Sequence, residues 1–413
     1  MPTSWEAYLE SIASDSLMED LRPDEPRDPR EWEQRDPLPP VAEPQVFGDT
    51  IGWTYLAWRQ LTAFHRDQVR FERALAAFVR DSLNDFRSHT GFVSAISVGS
   101  ARTPPNGPAY HEPLPTVQLA SLAAFLYCEI PFPTVIHQIS INDIFEKAGF
   151  EVEENVLHSR SVPVIATPSV HTVALRSVTS PTASSGKLSP AALLQSGNLA
   201  YGQTAAGIVT PGTIAMFVER KGRTDPCLIG AHHVLGRVGN TVLDGAQQSI
   251  GQVCLEDARI DCSVADLTLP WSIDYRLPRL NVIPGPPLMA YVGMPVQMFG
   301  AKSGHQAGQV SQTNFTAPPR PGLPVLNNIH TTIAAQPGDS GALLCSGYNT
   351  QPALPPPYLG FVPPQLQAYY TCAAIGVLQG QAYQGVGPIQ GSPSVFSYMH
   401  DVLATLGLDP LTR

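Results

Sequence analysis

Charge is scarce in this chain. Only 15% of its 413 residues are Asp, Glu, Lys or Arg, against 43% apolar. That balance excludes global disorder and leaves enough apolar side chains for a full core and more than one domain. Basic residues are the scarcer sign, 25 against 35 acidic for a net charge of −10, so nothing electrostatic points to nucleic acid as a partner. Long apolar runs are missing too. The longest, Leu119 to Cys128, is broken by Ser121 and is too short to cross a bilayer. The opening Met1-Pro2-Thr3-Ser4-Trp5-Glu6 lacks the basic stretch and apolar core of a secretory signal.

Cys128, Cys227, Cys254, Cys262, Cys345 and Cys372 form no CxxC pair and no metal-ligand spacing. No Walker loop is present, and Gly385-Val386-Gly387-Pro388-Ile389-Gln390-Gly391 has the wrong spacing for a dinucleotide loop and no crossover helix after it. These absences lead to the expectation of a soluble cytoplasmic protein with reduced thiols, no metal, no cofactor and no membrane partner.

Proline is abundant. The 41 prolines are about double the average share, which favours irregular connections and β architecture over long helices. Residues 1–49 form an acidic, proline-rich arm, as in Arg22-Pro23-Asp24-Glu25-Pro26-Arg27, expected to be extended and solvated. Residues 50–176 read as a smaller α/β or α+β domain. Its long helical signal over 50–87 places Leu61, Phe64, Phe71, Leu75, Phe78 and Phe86 on one face, with room for one break. Strands are expected over 92–98 and 160–176, and a short helix over 141–149. Residues 177–198 read as a polar linker, and 199–413 as a β-rich domain with many short strands and a closing helix over 395–406.

The stretch around which the second half is organised is Pro337-Gly338-Asp339-Ser340-Gly341-Ala342-Leu343. Glycines on both sides of Ser340 permit a tight bend and close approach to its hydroxyl. A hydroxyl needs a base and an orienting carboxylate to act as a nucleophile. Candidates lie upstream: His232 and His233 at the end of Leu228-Ile229-Gly230-Ala231, and Asp261 or Asp266 around Asp261-Cys262-Ser263-Val264-Ala265-Asp266. The order His, Asp, Ser is one of the convergent triad orders. Asp261 is preferred because it stands at the start of the apolar strand. Scattered His89, His111, His137, His158 and His171 lack metal spacing, and His305 reads as a surface turn residue.

On these residues, 199–413 resembles the chymotrypsin-fold (trypsin-like) serine peptidases, nearest to compact, disulfide-free bacterial forms. Gly338-Asp339-Ser340-Gly341 matches the nucleophile motif, Ile260-Asp261-Cys262-Ser263-Val264-Ala265 resembles the Asp motif, and Gly212-Thr213-Ile214-Ala215 is similar to the opening strand. Ser303-Gly304-His305-Gln306-Ala307-Gly308 resembles the second-barrel hairpin. The resemblance implies a double antiparallel β-barrel and peptide-bond hydrolysis, with Ser340 as nucleophile, Asp261 as orienting carboxylate, and Gly338 and Ser340 N–H as oxyanion hole. His233 is preferred as base, with His232 as the alternative. It also puts Ala334 and Ala335 near the floor of a primary pocket, which favours an apolar side chain over Lys or Arg. The expected partners are a protein or peptide substrate and a regulatory protein contacting the front domain, which would restrain or target the enzyme. A cut within 177–198 would release it, and a catalytically silent binding module is the alternative.

Overall fold

Short runs that alternate apolar with small or polar residues bury one face each and leave turns between them, so most of the chain pairs as antiparallel sheet. The computed structural model describes residues 68–69, 71–100, 122–131, 133–148, 161–174, 193–223, 225–268, 272–278, 282–316, 327–346, 369–383 and 393–410. The arm expected over 1–49, the front of the helical signal and most of the expected linker lie outside the described residues.

The first barrel is an eight-stranded antiparallel sheet. Its order is Leu408–Pro410, Phe217–Arg220, Pro226–Ala231, Cys262–Leu267, Ser249–Asp257, Thr241–Asp244, Leu199–Gln203, Val209–Thr213. Only residues 214–216 separate the last of these strands from Phe217–Arg220 near the other end, so the sheet curls round on itself. Ala200, Phe217, Leu228, Val242, Val253 and Ala265 fill its interior.

The second barrel is a closed ring of six antiparallel strands: Pro295–Gly300, Leu343–Ser346, Tyr369–Tyr383, Ser394–Tyr398, Asn328–Thr331 and Gly304–Thr316, which pairs back to Pro295–Gly300. Val296, Met298, Val310, Ile329, Leu344 and Phe396 form its core. Fully burying side chains of this size contributes about 1.5–3 kcal/mol each. The double antiparallel barrel expected for 199–413 is thus present. Its closing helix is shorter than expected. Residues Ser394–Tyr398 are all buried and form a strand between two neighbours, and the helix begins only at Met399 and runs to Leu406. Met399, Val402 and Leu403 pack between the barrels with Ile229, Val264 and Leu343.

The front segment contains a helix over 71–81 and a second, Leu83–Thr90, separated at Ser82. Strand Val93–Ser100 pairs with Leu122–Cys128, which pairs in parallel with Ser161–Pro168, and Thr134–Ser140 lies at the edge. Between these two parallel strands in the chain come the edge strand Thr134–Ser140 and helix Ile141–Ala148. This sheet does not stand apart from the barrel. Val93–Ser100 is hydrogen-bonded antiparallel to the long barrel strand Gly304–Thr316, and His171–Ala174 to Tyr369–Tyr383.

Two buried polar contacts fasten the same junction. Tyr127 Oη donates to Gln312 Oε1 at 2.7 Å. Glu72 accepts from Thr313 Oγ1 at 2.6 Å and from the N–H of Val292 at 2.9 Å. The end of the expected linker is also folded: Leu194–Gln195 pairs with Ile273–Asp274 and Leu194 is buried. Among the described residues no helix is long and apolar enough to cross a membrane. All six cysteines are free.

Candidate active site

Strand Pro226–Ala231 is paired to Cys262–Leu267 in a register that sets Ala231 opposite Cys262. The residues following the first strand and preceding the second therefore meet at one end of the barrel. There a single turn of helix, His232–Leu235, faces Asp261. Asp261 has φ 49°, a left-handed conformation unusual outside glycine and tolerated best by Asp and Asn. Three hydrogen bonds hold it to the histidine turn. Its carbonyl accepts from the N–H of His232 at 2.9 Å, Oδ1 accepts from the N–H of His233 at 2.9 Å, and Oδ2 lies 2.6 Å from His233 Nδ1.

An ionised carboxylate only accepts, so in a neutral ring facing one, Nδ1 is the donor and Nε2 the acceptor. That Nε2 is buried and has no hydrogen-bond partner among the described residues. No hydrogen bond therefore joins it to Ser340 Oγ, and it can serve as a general base only on a hydroxyl brought within hydrogen-bond reach.

His232 points elsewhere. Its Nδ1 lies 3.2 Å from Ser263 Oγ and 3.3 Å from Glu256 Oε2. Asp266 is likewise remote from the histidine pair. Its carboxylate accepts from Arg220 at 3.1 Å and from the thiols of Cys227 and Cys254 at 3.1 and 3.3 Å.

The serine turn comes from the second barrel and is fastened to the first. Thr213 N–H donates to Ser340 O at 2.8 Å, and Thr213 Oγ1 donates to Gly338 O at 3.0 Å. Gly341 has φ +90°, and a Cβ there would lie 2.5 Å from Thr213 O and 2.9 Å from Ala231 N, so only glycine fits between the barrels. This contact presses the turn against the strand end that carries His232 and His233. Asp339 organises the turn from within. Its fully buried carboxylate accepts backbone N–H bonds from Lys302 at 2.8 Å, Ser303 at 3.0 Å and Gln336 at 2.8 Å, which together offset the desolvation of the charge. Ser340 itself has no exposed surface.

The described geometry carries no argument from sequence relatives: no protein-family profile matches the chain and no curated protein matches it. Among solved structures it is similar to Protease A of Thermobifida fusca, at 21% identity over 54% of this chain and 100% of that one, with a TM-score of 0.38. It is also similar to a chymotrypsin of Cellulomonas bogoriensis, at 21% identity over 53% of this chain and 99% of that one, TM-score 0.37. A Nocardiopsis protease is similar at 19% identity over 54% and 100%, TM-score 0.38.

Around the expected primary pocket, Ala334 is exposed and Ala335 buried. Ala335 N–H donates to Ser394 Oγ at 3.2 Å, and its carbonyl accepts from Gln381 Nε2 at 2.7 Å. His305 stacks on Phe299 with ring centroids 4.8 Å apart, in a strand rather than a turn.

The positioning contacts of three residues were not visible in the sequence. Thr213 couples the barrels through both its backbone and hydroxyl. Gln379 Nε2 and Ser397 Oγ both donate to the carbonyl of Ile260, at 3.3 and 2.6 Å, and so anchor the residue before Asp261 from the second barrel. Hydroxyl and amide side chains within strands are common, and only the folded neighbour distinguishes these. Among the described residues no group of three or more His, Cys, Asp or Glu is arranged to hold a metal ion.

Proposed function

We propose that this chain is a serine endopeptidase in which Ser340, His233 and Asp261 act as nucleophile, base and orienting carboxylate. The observation that carries the reading is the doubly anchored Asp261–His233 pair with its buried, unpartnered Nε2, beside a serine turn fastened across the barrels. Ser340 Oγ attacks the peptide carbonyl carbon while its proton passes to His233 Nε2. The C–N bond then breaks, the leaving amine takes that proton, and water hydrolyses the acyl ester by the reverse roles. Asp261 holds the tautomer and stabilises the imidazolium. The N–H groups of Gly338 and Ser340 receive the oxyanion, an interaction typically worth about 10²–10³ in rate per donor.

The resemblance puts Ala334 and Ala335 near the floor of the primary pocket, and neither is acidic, so the pocket takes an apolar side chain rather than Lys or Arg. The enzyme cleaves a dedicated cytoplasmic protein substrate and is restrained or targeted by its front segment, whose sheet continuity with the second barrel supports a role carried out while attached.

The test is labelling by a fluorophosphonate probe, which reacts only with an activated serine. Wild type should label and Ser340→Ala should not. Since Ser340 has no exposed surface, the labelling rate also reads how readily the site opens. Equal labelling of the two proteins, or none of wild type, leaves a silent scaffold instead.

A further inference from the structure

Lys302 lies in the hairpin turn between Pro295–Gly300 and Gly304–Thr316. Its backbone is immobilised. The N–H of Ala301 donates to Thr213 Oγ1 at 3.0 Å, and those of Lys302 and Ser303 donate to Asp339 Oδ1 at 2.8 and 3.0 Å. The side chain lies along Gly338, in the turn before the proposed nucleophile. A Cβ on Gly338, which has φ +103°, would meet Lys302 Cγ at 2.7 Å, Cε at 3.3 Å and Cδ at 3.6 Å. The aliphatic stem therefore occupies the space that glycine leaves open. Lys302 is exposed, and among the described residues it has no ion-pair partner.

A lysine whose stem is packed and whose head is free presents a positioned charge. The position is informative. Ala335, which the family resemblance puts near the floor of the primary pocket, is held in place by Ser394 and Gln381. Lys302 reaches the serine turn from a separate segment, the hairpin of Pro295–Gly300 and Gly304–Thr316, and is tied to it through Asp339.

Resting on the peptidase reading above, we propose that Lys302 selects substrates with a carboxylate side chain, Asp or Glu, at the first or second residue after the scissile bond. The unpaired ammonium over the Gly338 turn would ion-pair with that carboxylate, and the apolar pocket would take the residue before the bond.

The experiment compares kcat/KM for peptides sharing one apolar residue before the scissile bond and carrying Asp, Ala or Lys at the two positions after it. The enzymes are full-length wild type, Lys302→Met and Lys302→Glu. Methionine keeps the apolar stem over Gly338 and removes the charge. Wild type should prefer Asp over Ala by about two- to five-fold, the range of a solvent-exposed ion pair. Lys302→Met should lose the preference while still cleaving the Ala peptide, and Lys302→Glu should turn the preference towards Lys. Equal rates of wild type on all three peptides overturn the proposal, as does an undiminished acidic preference in Lys302→Met. Fluorophosphonate labelling of Ser340 in the same samples separates the two layers. Labelled enzyme without acidic preference defeats only the role of Lys302, whereas neither labelling nor cleavage defeats the peptidase reading and this role together.

Discussion

Glu72 is the buried carboxylate on which the front helix meets the second barrel, and its ionisation can be changed without touching the proposed catalytic residues. Burial raises its pKa from 4.5 to about 7, against the pull of hydrogen bonds from Thr313, Val292 and Gln68. A carboxyl with a raised pKa binds its proton more tightly folded than unfolded. Its contribution to stability is therefore fully present below the unfolded value, is lost as pH rises towards 7, and is constant above that. At 1.36 kcal/mol per tenfold change in proton affinity the loss is about 3 kcal/mol.

His330 works in the opposite sense. Burial lowers its pKa from 6.5 to about 3, so stability is lost as pH falls from 6.5 towards 3. The two slopes overlap in mildly acidic solution, and the wild-type curve alone does not isolate Glu72.

Glu72→Gln does isolate it. The amide has the same shape, its oxygen can accept from Val292 N–H, and its NH₂ can donate to Thr313 Oγ1. Urea unfolding of the full chain, run from about pH 4.5 to about pH 8, should show the stability of the variant relative to wild type rising by about 3 kcal/mol. A difference independent of pH, or one that moves the other way, refutes the premise that the buried charge is what destabilises this junction.

Two further outcomes concern the site. Asp261→Asn should keep the fold, since Asn tolerates the left-handed backbone at this position. It should lower kcat by about 10⁴, the size of the effect of losing the orienting carboxylate in a triad, as measured on any cleaved peptide with a melting curve as control. Gly341→Ala should destabilise the turn by about 1–3 kcal/mol through its strained φ. It should also slow fluorophosphonate labelling by about 10² or more, because its Cβ meets backbone at Thr213 and Ala231 and displaces the serine.

Much of the second half was legible because its signals are local. The many short strands expected within 199–413 are present, since two-residue alternation between turn residues is visible in sequence. The turn chemistry of Gly338-Asp339-Ser340-Gly341 was visible for the same reason: φ +103° at Gly338 and φ +90° at Gly341 require glycine. Other features depended on partners far along the chain. Ser394–Tyr398 has the apolar spacing of a helix as well as of a strand, and became a strand because it is paired on both edges. Val93–Ser100 could not be matched to Gly304–Thr316 from sequence, because alternation says which face is buried but not which strand lies alongside.

By itself, then, the sequence determined the β-rich character of the second half, the order of histidine, aspartate and serine, and the glycines that bend the serine turn. Only the tertiary structure decided which histidine meets the carboxylate. His232 and His233 are neighbours with identical chemistry, and one residue of helical rotation sends the first to Ser263 and Glu256 and the second to Asp261. That choice depends on the Ala231–Cys262 register, on a positive φ at Asp261, and on donors from Gln379 and Ser397 in the other barrel. The two donors to Ile260 lie 119 and 137 positions along the chain from it, and chain-local patterning carries no information about them.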